Sequence, residues 1–142
     1  MDKGLKLTST IHIDAPPGKV WHALTDSELI KQYFFGSETQ TDWKAGSPIT
    51  WSGTYEGMNY HDKGVILESE KEKVFKHTYW SSMGGTEDIP DNYATVTYRL
   101  ENNNSGTTLT VTQEGFNSQQ SYEHSVQGWK DVLNNLKALV EK

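Results

Sequence analysis

A chain of 142 residues has the size of one domain, here 1–142, and can bury a core without a metal or disulfide staple. Thirteen Lys plus Arg against 19 Asp plus Glu give a formal charge of −6, which argues against nucleic-acid binding through a basic face and against an electrostatic membrane anchor. The absence of cysteine excludes disulfide scaffolds and thiolate chemistry, while five Trp and seven Tyr offset a low apolar share of 34%.

Residues 5–13 alternate, with Leu5, Leu7, Ser9, Ile11 and Ile13 on one face, and predict a half-buried strand. Asp14-Ala15-Pro16-Pro17 ends it, because proline cannot donate to a ladder, and Pro17 suits the first turn of a helix. Val20, Trp21 and Leu24 mark the apolar face of that helix. Asp26 is a good N-cap for a second short helix, with Leu29, Ile30, Tyr33 and Phe34 as its apolar side.

Strands and turns follow. Residues 37–41 form a weak strand, and Lys44-Ala45-Gly46-Ser47-Pro48 is a turn. Ile49, Trp51, Gly53 and Tyr55 alternate as the next strand, which Glu56-Gly57-Met58-Asn59 connects to another over 60–69. The charged Glu70-Lys71-Glu72-Lys73 is a solvated hairpin tip before a return strand over 74–80. A longer loop over 81–92, with Gly84-Gly85 and Pro90, precedes two strands over 93–101 and 107–114. Val96, Tyr98 and Leu100 alternate in the first, Leu109 and Val111 point inward in the second, and the asparagine-rich 102–106 turns between them.

The tail changes period. Tyr122, Val126, Trp129, Leu133, Leu136 and Val140 recur at steps of three and four, which predicts one amphipathic helix of about five or six turns, roughly 30 Å long. A helix this one-sided needs a large apolar partner, and the concave face of the sheet is the only candidate. Gly128 interrupts it at a cost of about 1 kcal/mol relative to Ala. Close approach of the sheet is the first reading of that glycine, and a space kept open is the second. The expected fold is α+β in the order β-α-α-β6-α, with an antiparallel sheet of about seven strands wrapped on the long C-terminal helix.

The order and its motifs resemble the helix-grip fold of the START-like (SRPBCC, Bet v-like) superfamily, and within it the branch named for the activator of the heat-shock-protein-ninety ATPase. The residues that carry the resemblance run from Ile13 through Ala15-Pro16-Pro17 and Val20-Trp21 to Asp26, then Trp43-Lys44-Ala45-Gly46-Ser47, Pro90 to Tyr98, and Gly128-Trp129-Lys130-Asp131-Val132-Leu133-Asn134-Asn135-Leu136. The superfamily includes lipid and hormone carriers, aromatic cyclases and chaperone activators, so the resemblance implies a fold and not one function. The eukaryotic activator resembles this chain only in its C-terminal part, and no additional N-terminal chaperone-binding domain is read here.

Chemistry-bearing motifs are sparse. There is no phosphate-cradling loop, no nucleophile elbow and no pair of histidines at i, i+4, so neither a catalytic set nor a metal site nor a cofactor is expected. His12 and His22 read as outward, and Glu87, Asp88 and Asp91 as a solvated acidic loop. His77 shares a strand face with Phe75 and Tyr79; it is an exposed strand histidine, or, if that face is concave, a polar group in an apolar pocket. Ligand sites are mostly apolar with a few placed polar groups. Trp51, Tyr55, His77, Tyr79, Tyr98 and Trp129 supply that mixture, with Leu133 on the helix and Phe34 and Met58 near an entrance. The expected function is non-enzymatic binding of a small hydrophobic or aromatic molecule between sheet and helix, with a chaperone-interacting protein and a cyclase-like enzyme as alternatives. The N-terminus has no apolar run and no stretch reaches the length of a membrane span, so a cytoplasmic protein without membrane insertion is expected.

Overall fold

The computed structural model describes residues 5–34, 36–82, 86–103, 105–116 and 118–142, leaving aside the side chain of Tyr55. Gly84 and Gly85 of the expected long loop and Asn104 of the expected turn lie outside these residues. The elements run β1 (Lys6–Ile13), α1 (Pro17–Leu24), α2 (Ser27–Tyr33), β2 (Glu38–Gln40), β3 (Pro48–Tyr55), β4 (Met58–Glu70), β5 (Val74–Tyr79), a 3-10 turn at Pro90–Asn92, β6 (Ala94–Asn103), β7 (Gly106–Glu114) and α3 (Gln119–Val140). The seven strands form one antiparallel sheet in the order β1-β7-β6-β5-β4-β3-β2, and the order of elements is the expected helix-grip order.

Local chemistry sets the joints. Pro17 opens α1, and the Asp26 carboxylate caps α2 by accepting from the backbone N–H of Glu28 and Leu29. Ser118 caps α3 by accepting from Ser121 N–H at 3.0 Å. The connection after Tyr55 is tighter than expected. Glu56 and Gly57 both have positive φ and make a two-residue hairpin loop, so Met58 already pairs with Tyr55. Met58 is therefore the first residue of β4 at an exposed hairpin tip.

The core lies between the concave sheet face and the three helices. Leu7 and Ile13 of β1, Ile66 of β4, Phe75 of β5, Val96 and Leu100 of β6 and Leu109 and Val111 of β7 meet Val20, Trp21, Leu24 and Ile30 of the short helices. From α3, Trp129, Val132, Leu133, Leu136 and Val140 enter the same core. The helix is pinned at its C-terminal end to β1. Lys137 Nζ donates to the His12 carbonyl at 2.9 Å, and Glu141 accepts from Asp14 N–H at 2.7 Å. That backbone bond, with Lys137, holds the Glu141 carboxyl below the usual carboxylate range.

Two glycines face opposite constraints. A Cβ on Gly64 would stand 1.8 Å from the Thr78 carbonyl oxygen, where β4 and β5 converge before the irregularity between Ile66 and Glu68. A Cβ on Gly128 meets nothing within 4 Å, so the close-approach reading of that residue is corrected: the sheet stands away from α3 there. Gly64→Ala is expected to destabilise the protein by about 2 kcal/mol through overpacking. Gly128→Ala is expected to stabilise it by up to about 1 kcal/mol through helix propensity. Urea unfolding of both variants measures the contrast, and equal effects would contradict it.

Candidate functional site

The space beside Gly128 is a cavity of about 210 Å³ between α3 and the sheet. Trp51 of β3, Asp62 of β4, His77 and Tyr79 of β5, Val96 and Tyr98 of β6 and Gln113 of β7 form its floor and walls. Gly128, Trp129 and Val132 of α3 form its roof, Phe34 and Ser37 close one side, and His124 and Ser125, one turn before Gly128 and Trp129, complete the lining. A smaller space of about 20 Å³ adjoins it under α2 and shares Phe34, Trp51, His77 and Tyr98.

Register explains why these residues meet. Residues directly opposite in an antiparallel pair share a face. Ile66, His77, Val96, Gln113 and Leu7 are successive partners across β4, β5, β6, β7 and β1, so they form one row over the concave face. Phe75, Tyr98 and Val111 form the next row, and Thr39, Trp51 and Asp62 a third across β2, β3 and β4. The rings interlock along these rows. Trp51 lies 5.0 Å from His77 and 5.4 Å from Tyr79, centre to centre, and Tyr98 lies 5.8 Å from Trp129 in an edge-on contact. Phe34 meets Trp129 edge-on from the α2 side at 6.1 Å.

Several polar groups of the lining are engaged by specific partners. His77 is 4% exposed, and its Nδ1–H donates to the Thr78 carbonyl at 2.7 Å. Burial pushes its pKa down to about 4, so the ring is neutral at pH 7. The buried Asp62 carboxylate accepts from the Tyr79 hydroxyl at 2.8 Å and from Ser82 N–H at 3.0 Å. Burial, reinforced by Asp62, raises the Tyr79 pKa well above the ordinary phenol range; burial alone raises that of Tyr98. Trp129 Nε1–H donates to Gln113 Oε1 at 2.7 Å.

Six of the residues singled out from sequence share this cavity: Phe34, Trp51, His77, Tyr79, Tyr98 and Trp129. His77 faces the interior, which corrects its reading as an exposed strand histidine. Met58 does not line the cavity; it is 60% exposed because the hairpin closes immediately before it. Leu133 does not line it either, being 2% exposed in the packed part of the core, while its neighbour Val132 forms roof. Tyr55 projects from described backbone, but its side chain lies outside the described atoms. Asp62 and Gln113 escaped the sequence reading although period two was available for both. Asp62 is four residues before the inward Ile66, and Gln113 two after the inward Val111.

The acidic loop carries ordinary pairings. Asp88 is bound by Lys63 and by the Tyr93 hydroxyl, and Lys63 holds the Asp88 carboxyl low while the Tyr93 hydroxyl is pushed up to about 12, chiefly by burial. Among the described residues no group of three or more His, Asp or Glu could hold a metal ion, and no helix is long and apolar enough to cross a membrane.

A seven-stranded sheet gripping one long C-terminal helix, with an aromatic cavity between them, defines a START-like helix-grip protein. Residues 14–141 match the model of the family described as Activator of Hsp90 ATPase homolog 1-like protein, and the chain belongs to that family. It is similar over 99% of its length to 97% of a Cytophaga hutchinsonii protein solved in solution, with 35% identity and a TM-score of 0.84. A Mesorhizobium loti protein shares the fold at 22% identity, with a TM-score of 0.80 and 96% of each chain covered. So does the Aha1 dimer from Colwellia psychrerythraea, at 18% identity and a TM-score of 0.77, again with 96% of each chain covered. No protein with a curated description matches the chain.

A buried neutral histidine binds fewer protons than its unfolded counterpart between pH 4 and 6.5, so its contribution is full above pH 6.5 and is lost as pH falls toward 4. Between pH 7.5 and 5 the wild type is expected to lose about 2 kcal/mol more unfolding free energy than His77→Gln. Urea titrations at the two pH values measure this, and parallel losses would contradict a buried neutral His77.

Proposed function

We propose that this chain is a non-enzymatic binding domain, acting over 1–142, that holds a small hydrophobic or aromatic molecule between the sheet and α3. One observation carries this reading: the cavity of about 210 Å³ opens where α3 has a glycine, and among the described residues no side chain fills it. A cavity of roughly 150 Å³ suffices for benzene, whereas drug-sized ligands occupy about 300–1,000 Å³. The occupant is therefore of one-ring size, or larger with part of it outside. Trp51, Tyr79, Tyr98, Trp129 and Phe34 offer ring faces and edges to such a molecule, and His77 orients it. No cofactor is required.

A second reading is docking on a chaperone. The family's description favours it, as do Val65 and Leu67, apolar side chains exposed on β4. It uses a different surface and leaves the cavity without a role.

Thermal-shift screening against small aromatic compounds tests the first reading. A ligand of the folded state at 100 times its Kd stabilises by about 2.7 kcal/mol and raises Tm by several degrees. Gly128→Leu, which places a side chain in the cavity from a helical position, is expected to fold and to abolish that shift. If no compound stabilises the wild type, or if Gly128→Leu responds as the wild type does, the binding reading fails.

A further inference from the structure

Three polar groups on the sheet side of the cavity, across from His124 and Ser125 of α3, have unused hydrogen-bonding capacity, and for two of them the free atom follows from the partner. The Thr78 carbonyl can only accept, so His77 Nδ1 carries the ring proton and Nε2 of the neutral ring is a bare acceptor. The Trp129 indole N–H can only donate, so the Gln113 atom 2.7 Å from it is the amide oxygen, and the Gln113 NH₂ is a bare donor. The Tyr98 hydroxyl, which can do either, is bonded to no described residue. Thr39 Oγ1 is the one fully sealed side-chain polar atom without a partner among the described residues. The three groups therefore touch open space. Register brings them together: His77 and Gln113 flank Val96 in one row, and Tyr98 lies two residues from Val96 on the same strand face.

This set has a definite complement. A carboxylate cannot donate to His77, and it would meet the buried Asp62 carboxylate, which forms no ion pair among the described residues. Among the described residues no Lys or Arg lines the cavity to receive an anion. An ammonium cannot accept from Gln113, and an ether or ketone cannot donate to His77. A neutral hydroxyl does both. We propose, on the premise that the cavity binds a ligand at all, that it selects a small uncharged aromatic alcohol, a single phenol-type ring whose O–H donates to His77 Nε2 and whose oxygen accepts from Gln113 or Tyr98. His77 and Gln113 then set specificity, and the surrounding rings supply most of the contact area.

The experiment is calorimetric or NMR titration of the whole chain at pH 7 with four compounds of similar shape: p-cresol, p-xylene, 4-methylbenzylamine and p-toluate. p-Cresol is expected to bind about tenfold or more tightly than p-xylene, the ratio that one net hydrogen bond supplies, with the amine weaker and p-toluate weakest. His77→Phe keeps an aromatic ring and removes the acceptor, and is expected to weaken p-cresol about tenfold while leaving p-xylene unchanged. Should that variant fail to fold, the wild-type ratios decide. Equal binding of p-cresol and p-xylene, or tighter binding of the amine or p-toluate, overturns the proposal. Binding of other aromatic compounds but none of these four overturns the phenol selectivity and leaves the binding reading standing. Failure of every compound overturns both.

Discussion

The hydrogen bond from the Trp129 indole to the Gln113 amide, 2.7 Å long and buried, is the constraint on which the interior depends. A buried indole N–H without a partner costs about 1–3 kcal/mol, so Trp129 is held to the sheet by its edge. Its ring then acts as a strut between α3 and β7, braced by Tyr98 on one side and Phe34 on the other. Toward the C-terminus the helix closes on the sheet through Leu133, Leu136 and Val140, and Lys137 and Glu141 tie it to β1 and the residue that follows. Toward Gly128 no described side chain fills the gap. The same bond holds the Gln113 oxygen on Trp129 and leaves its NH₂ without a partner among the described residues, so one contact bears on both the shape of the space and its polarity.

The frame was legible in the sequence because it rests on periodicity. Period two in β1, β6 and β7 and the three-and-four spacing of Tyr122 to Val140 announced a sheet around a helix, and the proline and Asp26 signals placed the short helices. The ring residues of the cavity were legible for the same reason, since His77 and Tyr79 share a face with Phe75. What escaped was whatever depends on separation in space. Gly128 looks the same in sequence whether the sheet presses on it or stands off, and only the tether at Trp129 decides. Gln113 and Asp62 sit at inward positions by parity, but a polar residue near a strand end does not by itself declare a partner across the core. Met58 was misplaced by the length of one turn, because the positive φ of Glu56 allows a two-residue loop where a longer connection was expected.

An open interior is costly in a domain of this size. Side chains that line a space forfeit the packing contacts they would make in a filled core, and a total stability of about 5–15 kcal/mol leaves little room for such losses. The polar groups of His77, Tyr98 and Gln113 in its floor and walls suit the space to polar guests, as an all-leucine lining would not. A molecule that offers hydrogen bonds to these groups and also covers the rings would restore both kinds of contact. A high aromatic share thus has a physical meaning: large rigid rings can wall a space that smaller side chains would collapse into.

A high-resolution crystal structure of the ligand-free protein tests this account most directly. It should place the Trp129 indole nitrogen within hydrogen-bond distance of Gln113, with α3 held off the sheet at Gly128 and solvent in a space of about 210 Å³. An α3 packed down onto β5 and β6, with the Trp129 ring turned into that space, would contradict it.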